Sequence, residues 1–143
     1  MTELQDKLNI LTEDKSNRYF YHFTPYNAEK ILEQGLIASS PHWENSFLEF
    51  TDEELKDIES VINDNKSIGV KQNNFIILVG VPHEKVQNFM EPLDEEYYNS
   101  DREDFGEEKY IVNSNYIIGY IDLKDLELYI NEYSDVVSDN FYL

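Results

Sequence analysis

The chain has 143 residues, no cysteine, and eleven basic against thirty acidic side chains, for a formal net charge of -19. That length sets one domain burying roughly 68–70% of its unfolded surface, and the missing thiols exclude a disulfide framework and a thiolate zinc site. Binding DNA or RNA means neutralising phosphates with Lys and Arg, so direct nucleic-acid binding is not expected; the surface reads either as a solvated acidic one or as one that meets a basic protein.

Residues 1 to 17 form the expected N-terminal helix, with Leu4, Leu8 and Leu11 on one face of "MTELQDKLNILTEDK". This polar, amphipathic start is unlike a secretory leader. No apolar run approaches the roughly 18 residues of a membrane helix, so a cytoplasmic location without membrane contact is expected. "YFYHF" is aromatic-rich and reads as a strand. Thr24 then offers an N-cap and Pro25 the favoured first helical position; Ala28, Ile31 and Leu32 make an apolar stripe, and Gly35 ends the helix. "FLEFTDEELKDIESVI" repeats that grammar. A strand from Phe47 to Phe50 meets a Thr51–Glu54 capping box, and Leu55, Ile58 and Ile62 follow at helical spacing. Residues 64–74 read as polar loop or ragged strand. "FIILVGV", 75 to 81, is apolar in both phases and so is the expected central strand. "PHEKVQNF" reads as a turn or a single helical turn. Residues 91 to 108 carry nine acidic residues and one arginine, which favours an exposed loop. "KYIVNSNYIIGYIDL" gives two short strands broken at Asn113–Asn115, and residues 124 to 143 form an extension of mixed pattern.

Four pieces, in order, resemble the ADP-ribosyltransferase fold, the split β-sheet domain of diphtheria-type toxins, poly(ADP-ribose) polymerases, DNA-modifying toxin transferases and tRNA 2′-phosphotransferases. "YHFTPYNAEKILEQGLIAS" is similar to the family's first motif, an aromatic-flanked histidine before a helix and a "G-L-apolar-x-S" exit. "FLEFTDEELKDI", "FIILVGVPHEKV" and "GEEKYIVNSNYIIGYIDL" resemble its second strand, central strand and terminal motif. The resemblance covers residues 18 to 123. It implies an α+β fold with a split antiparallel sheet core and short flanking helices, all within a single domain.

The resemblance also implies a chemistry. Members bind NAD as substrate and break its nicotinamide N-glycosidic bond, so positive charge develops on the ribose. A fixed carboxylate beside that sugar stabilises charge found mainly in the transition state. His22 would hydrogen-bond a ribose hydroxyl, the Phe23 backbone would hold the nicotinamide amide, Phe50 would stack on nicotinamide, and Glu108 would be the catalytic carboxylate. Residue by residue, plainer readings stand beside these. His22 also fits an ordinary strand position, Thr24 a plain N-cap rather than a ligand contact, and Phe50 a core position. Alternation puts Glu108 on one face with Tyr110 and Val112, and Glu107 on the other with Lys109 and Ile111. Trp43, in "SSPHWENS", reads equally as a cover over a ligand or as core.

Metal chemistry is not expected. His22, His42 and His83 lack paired zinc spacing, and Asp94, Glu95, Asp101 and Asp104 fit no EF-hand template. No Gly-rich phosphate loop or nucleophile elbow is present. Two functions follow. One is a mono-ADP-ribosyltransferase of toxin, effector or anti-defence type, acting on a macromolecule and, given the charge, on a protein. The other is a non-enzymatic acidic interaction protein, such as an inhibitor, antitoxin-like partner or nucleic-acid mimic.

Overall fold

The computed structural model describes residues 3–38, 42–45, 47–67, 74–92, 110–132 and 134. Leu4, Leu8 and Leu11 form the buried face of helix α1, Glu3–Leu11. Strand β1, Asn17–Thr24, carries the aromatic run. The helix after it, α2, is Ala28–Gln34, and its N-cap is Asn27 rather than Thr24. Asn27 Oδ1 accepts the Glu29 and Lys30 N–H groups at 3.0 and 3.4 Å. Thr24 stays in the strand, buried, and its hydroxyl accepts the Tyr26 N–H at 3.1 Å across a turn. Pro25 therefore sits in that turn and not at the first helical position; a residue before proline is pushed to extended backbone, which prolongs the strand by one residue. Gly35 ends α2 as expected, at φ 94°, donating its N–H to the Ile31 carbonyl.

After Gly35 come β2, Leu36–Ala38, a single 3-10 turn at Trp43–Asn45, and β3, Leu48–Glu49. The Thr51–Glu54 capping box is present and opens helix α3, Asp52–Lys56. The continuous apolar spacing from Leu55 to Ile62 suggested one helix, yet the chain breaks at Asp57 (φ -144°, ψ 70°) before α4, Ile58–Ser67. Asp57 caps the second piece by accepting the Ser60 N–H at 3.3 Å. Gln5, reaching from α1, bridges the break. Its Nε2 donates to the Leu55 carbonyl at 2.6 Å, and its Oε1 accepts the Ile58 N–H at 2.8 Å.

Strand β4 is Phe75–Pro82, buried on both faces except at its ends. A 3-10 turn at His83–Lys85 leads to β5, Met90–Pro92, where only a turn and loop were expected. Then come β6, Tyr110–Val112, a 3-10 turn at Ser114–Tyr116, and β7, Ile117–Asp122, the two strands and break read from the sequence. Strand β8, Glu127–Ile130, lies in the stretch set apart as an extension. The strands form two antiparallel sheets, a five-stranded one ordered β3-β1-β4-β7-β8 and a three-stranded one ordered β2-β6-β5. The architecture is mixed helix and antiparallel sheet, with β4 central as expected.

Two apolar clusters divide the interior. Tyr19, Tyr21 and Phe50 pack with α1, α3 and α4 on one face of the large sheet. Phe20, Phe47, Ile77 and Val79 pack on the other face with α2 and with Leu36, Ala38, Met90 and Val112 of the small sheet. Side chains alternate along a strand, so β1 feeds both clusters, its odd-numbered aromatics facing the helices and its even-numbered residues facing the second sheet. The N-terminal helix and β8 belong to the same core, through Leu4, Leu8 and Leu128.

Candidate functional site

The inner face of β1, turned toward the small sheet, carries Arg18, Phe20, His22 and Thr24 in alternation. His22 is half-buried and registers opposite Ile77 of β4. Its ring centroid lies 5.6 Å from that of Phe47. Phe47 continues to Phe89 at 6.3 Å, and Phe20 meets Trp43 edge-on at 4.7 Å. An ion pair closes one end of this face. Arg18 donates from Nε and Nη2 to the two Glu49 oxygens at 2.7 and 2.6 Å, and its guanidinium carbon lies 5.7 and 5.8 Å from the Phe20 and Trp43 rings. The hydrogen-bonded Glu49 carboxylate raises the Arg18 pKa further above its ordinary value. The pair is bidentate, with each side chain about one-third exposed.

Phe23 belongs to the other face as a side chain, in contact with Tyr21 at 6.0 Å. Its peptide group is the relevant part. In an antiparallel ladder a residue sends its N–H and C=O the same way, and successive residues alternate direction. The Phe50 N–H donates to the Tyr19 carbonyl at 2.9 Å, so the peptides of Tyr19, Tyr21 and Phe23 point toward the β3 side. Pairing with β3 covers Phe20 and Tyr21 and goes no further among the described residues. The Phe23 peptide is thus the next one along that edge, beyond the described end of β3, directly after His22.

Phe50 lies elsewhere. Its ring is buried against Tyr21 at 4.4 Å in the helix-side cluster, so β1 separates it from His22, and the two do not share a cleft. The aromatic that does adjoin His22 is Phe47. Parity held the signal that distinguishes them. Glu49 pairs with Arg18 on the inner face, so Phe47 shares that face while Leu48 and Phe50 take the other. Sequence reasoning also passed over the Arg18–Glu49 pair, whose members stand 31 positions apart. Thr24 lies on the inner face, engaged in its turn.

Glu108, its alternative Glu107, and the acidic group Asp94, Glu95, Asp101 and Asp104 lie outside the described residues. What is described of their neighbourhood is β6, where Tyr110 and Val112 pack into the cluster between the sheets. Among the described residues no group of three or more metal-ligating side chains forms, and no helix is long and apolar enough to cross a membrane. His42 and His83 are exposed; the His83 ring Nε2 lies 3.2 Å from the Lys15 carbonyl. No family model matches the chain, and no curated protein or solved structure matches it either.

Proposed function

We propose that the protein is an NAD-dependent mono-ADP-ribosyltransferase that modifies a macromolecule, by its charge a protein with a basic surface. The observation that carries this reading is the pairing of His22, half-buried on the face between two antiparallel sheets, with the Phe23 peptide at the strand edge just beyond β3. A side-chain donor and a peptide edge in adjacent positions suit a ligand carrying both a ribose hydroxyl and a carboxamide. Phe47, buried in the cluster between the sheets, backs the His22 ring from behind and so fixes its orientation.

In the reaction the bond between the ribose anomeric carbon and the nicotinamide nitrogen breaks, and nicotinamide leaves with the bonding electrons. The acceptor's nucleophilic atom forms the new bond to that carbon and releases its proton. His22 orients the ribose, the Phe23 peptide holds the leaving ring, and the aromatic rings around them keep water from the sugar. Glu108 is the carboxylate proposed to face the positive charge that develops on the ribose.

Nicotinamide release from NAD tests the reading. His22→Ala is expected to weaken NAD binding measured by calorimetry, because its contact exists before chemistry begins. Glu108→Gln is expected to leave affinity nearly intact and to lower turnover by roughly 10²–10³. A wild-type protein that neither binds nor consumes NAD would overturn the proposal. The formal charge of -19 then favours the second reading, a non-enzymatic acidic partner of a basic protein. Its mark is tight binding that falls steeply with added salt.

A further inference from the structure

We infer that Trp43 is the hydrogen-bond donor of a binding site for a flat heteroaromatic ring on the inner face of β1. The indole is only partly buried as a side chain, yet its Nε1 atom is shut away from solvent with no hydrogen-bond partner among the described residues. A withheld indole N–H is uncommon, because buried Trp donors normally find an acceptor. No described neighbour supplies an acceptor in this arrangement. The ring meets the edge of Phe20 and the Arg18 guanidinium, and a guanidinium has donors only. The Glu49 carboxylate is turned to the guanidinium, where it accepts from Arg18 Nε and Nη2, and it makes no bond to the indole.

The surroundings define the shape of what could supply an acceptor. The Phe47 N–H donates to the Trp43 carbonyl at 2.8 Å, which ties the 3-10 turn to the ring that contacts His22. Phe20 and His22 are next neighbours on one face of β1, about 7 Å apart at strand spacing. Phe20 and Phe47 are buried and form the floor, so the ring surface within reach of a ligand is that of the partly exposed His22 and Trp43, and the indole holds the unused donor. A flat ring bearing a carbonyl or ring-nitrogen acceptor complements it; a saturated or purely apolar molecule leaves the N–H as it is. Ligand entry turns the indole outward, so Trp43 works both as a cover and as the group that reads the ligand's acceptor. The choice of nicotinamide and adenine as probes rests on the NAD reading, since both rings of that substrate are flat and carry acceptors. The site itself does not require turnover.

Trp43 is the chain's one tryptophan, so its emission reports this site alone. NAD, nicotinamide and adenosine would each be titrated into wild type and Trp43→Phe, following tryptophan emission in wild type and calorimetry in both. At least one ligand is expected to change the emission saturably and to bind at least tenfold more weakly to Trp43→Phe, which keeps an aromatic ring and lacks the donor. The indole proton resonance, read in wild type alone, covers the case of a variant that folds poorly; it is expected to move downfield on saturation. The inference is overturned if no probe binds, or if binding leaves the resonance unmoved and is equal in a folded Trp43→Phe. Nicotinamide release with an unmoved indole keeps the transferase reading and ends this one. Ring binding at Trp43 without NAD consumption does the reverse.

Discussion

Gln5→Leu probes the joint between α3 and α4. Leucine matches glutamine closely in volume and should keep the packing of a position that is 5% exposed, so the change isolates the polar role. In the native protein the Gln5 amide bonds the Leu55 carbonyl at 2.6 Å and the Ile58 N–H at 2.8 Å, two groups that the break at Asp57 leaves without helical partners. Both flanking side chains are buried, so water reaches these groups poorly once the amide is gone. A buried group left unsatisfied costs about 1–3 kcal/mol; two give roughly 2–5 kcal/mol after partial relaxation. Urea unfolding followed by far-ultraviolet circular dichroism measures it. With a slope of about 1–3 kcal/mol per molar urea, the midpoint should fall by on the order of 1–2 M with little change in slope. Gln5→Glu separates the accepting bond from the donating ones, since a carboxylate can still accept the Ile58 N–H but faces the Leu55 carbonyl and the Asn9 Oδ1, 2.8 Å from the native Nε2, with no donor. A loss under about 0.5 kcal/mol in Gln5→Leu would refute the argument and mean that the helix ends satisfy themselves.

Asn131, 1% exposed, donates from Nδ2 to the carbonyls of Leu32, Ser114 and Ile117 at 3.2, 3.0 and 2.7 Å. Asn131→Asp should cost more than Asn131→Leu in thermal unfolding, because a carboxylate would face those carbonyls without a proton to offer. Gly35→Ala should destabilise by at least about 1 kcal/mol, since φ is 94° and a Cβ would stand 2.6 Å from the Val112 carbonyl; an unchanged melting temperature would contradict the placement of β6. Burial pushes the pKa values of Tyr19, Tyr21 and Tyr120 up to about 12. Unfolded tyrosine ionises near 10, so stability should be flat below that pH and fall as pH rises from there toward 12; Tyr19→Phe should make the fall shallower in alkaline urea titrations. Phe47→Ala should weaken NAD binding more than Phe50→Ala does in calorimetry, given correctly folded variants, because Phe47 backs the His22 ring; the reverse order would favour Phe50 as the aromatic that serves the ligand.

The elements readable in the sequence were those in which one local rule dominates. The leucine stripe of α1, the doubly apolar β4 and the Thr51–Glu54 box each state their structure within a few residues. The misplaced cap shows two local rules in competition. Thr24 and Pro25 match a helix start, but ladder pairing with β4 extends through Thr24 and leaves Asn27 to cap. The break at Asp57 was hidden because Gln5, far along the chain, satisfies the groups it exposes. Strand β5 is three residues long and β8 pairs only through one edge, so neither carries enough alternation to stand out. At the candidate site His22 was legible as a strand residue before a helix, whereas the choice between Phe47 and Phe50 needed the β1–β3 register, which is a nonlocal fact.

The strand order has a consequence for how the protein is made. β4 is flanked by β1, from early in the chain, and by β7, whose last residue is Asp122, while α1 packs in one cluster with Leu128 of β8. As the polypeptide leaves the ribosome, β1 and β4 can pair and α1 can meet α3 and α4, but the far side of β4 and the part of α1 that faces β8 wait for the final quarter of the sequence. Closing contacts of such wide separation slows folding, and a chain paused before β7 would present an unpaired apolar strand edge prone to self-association.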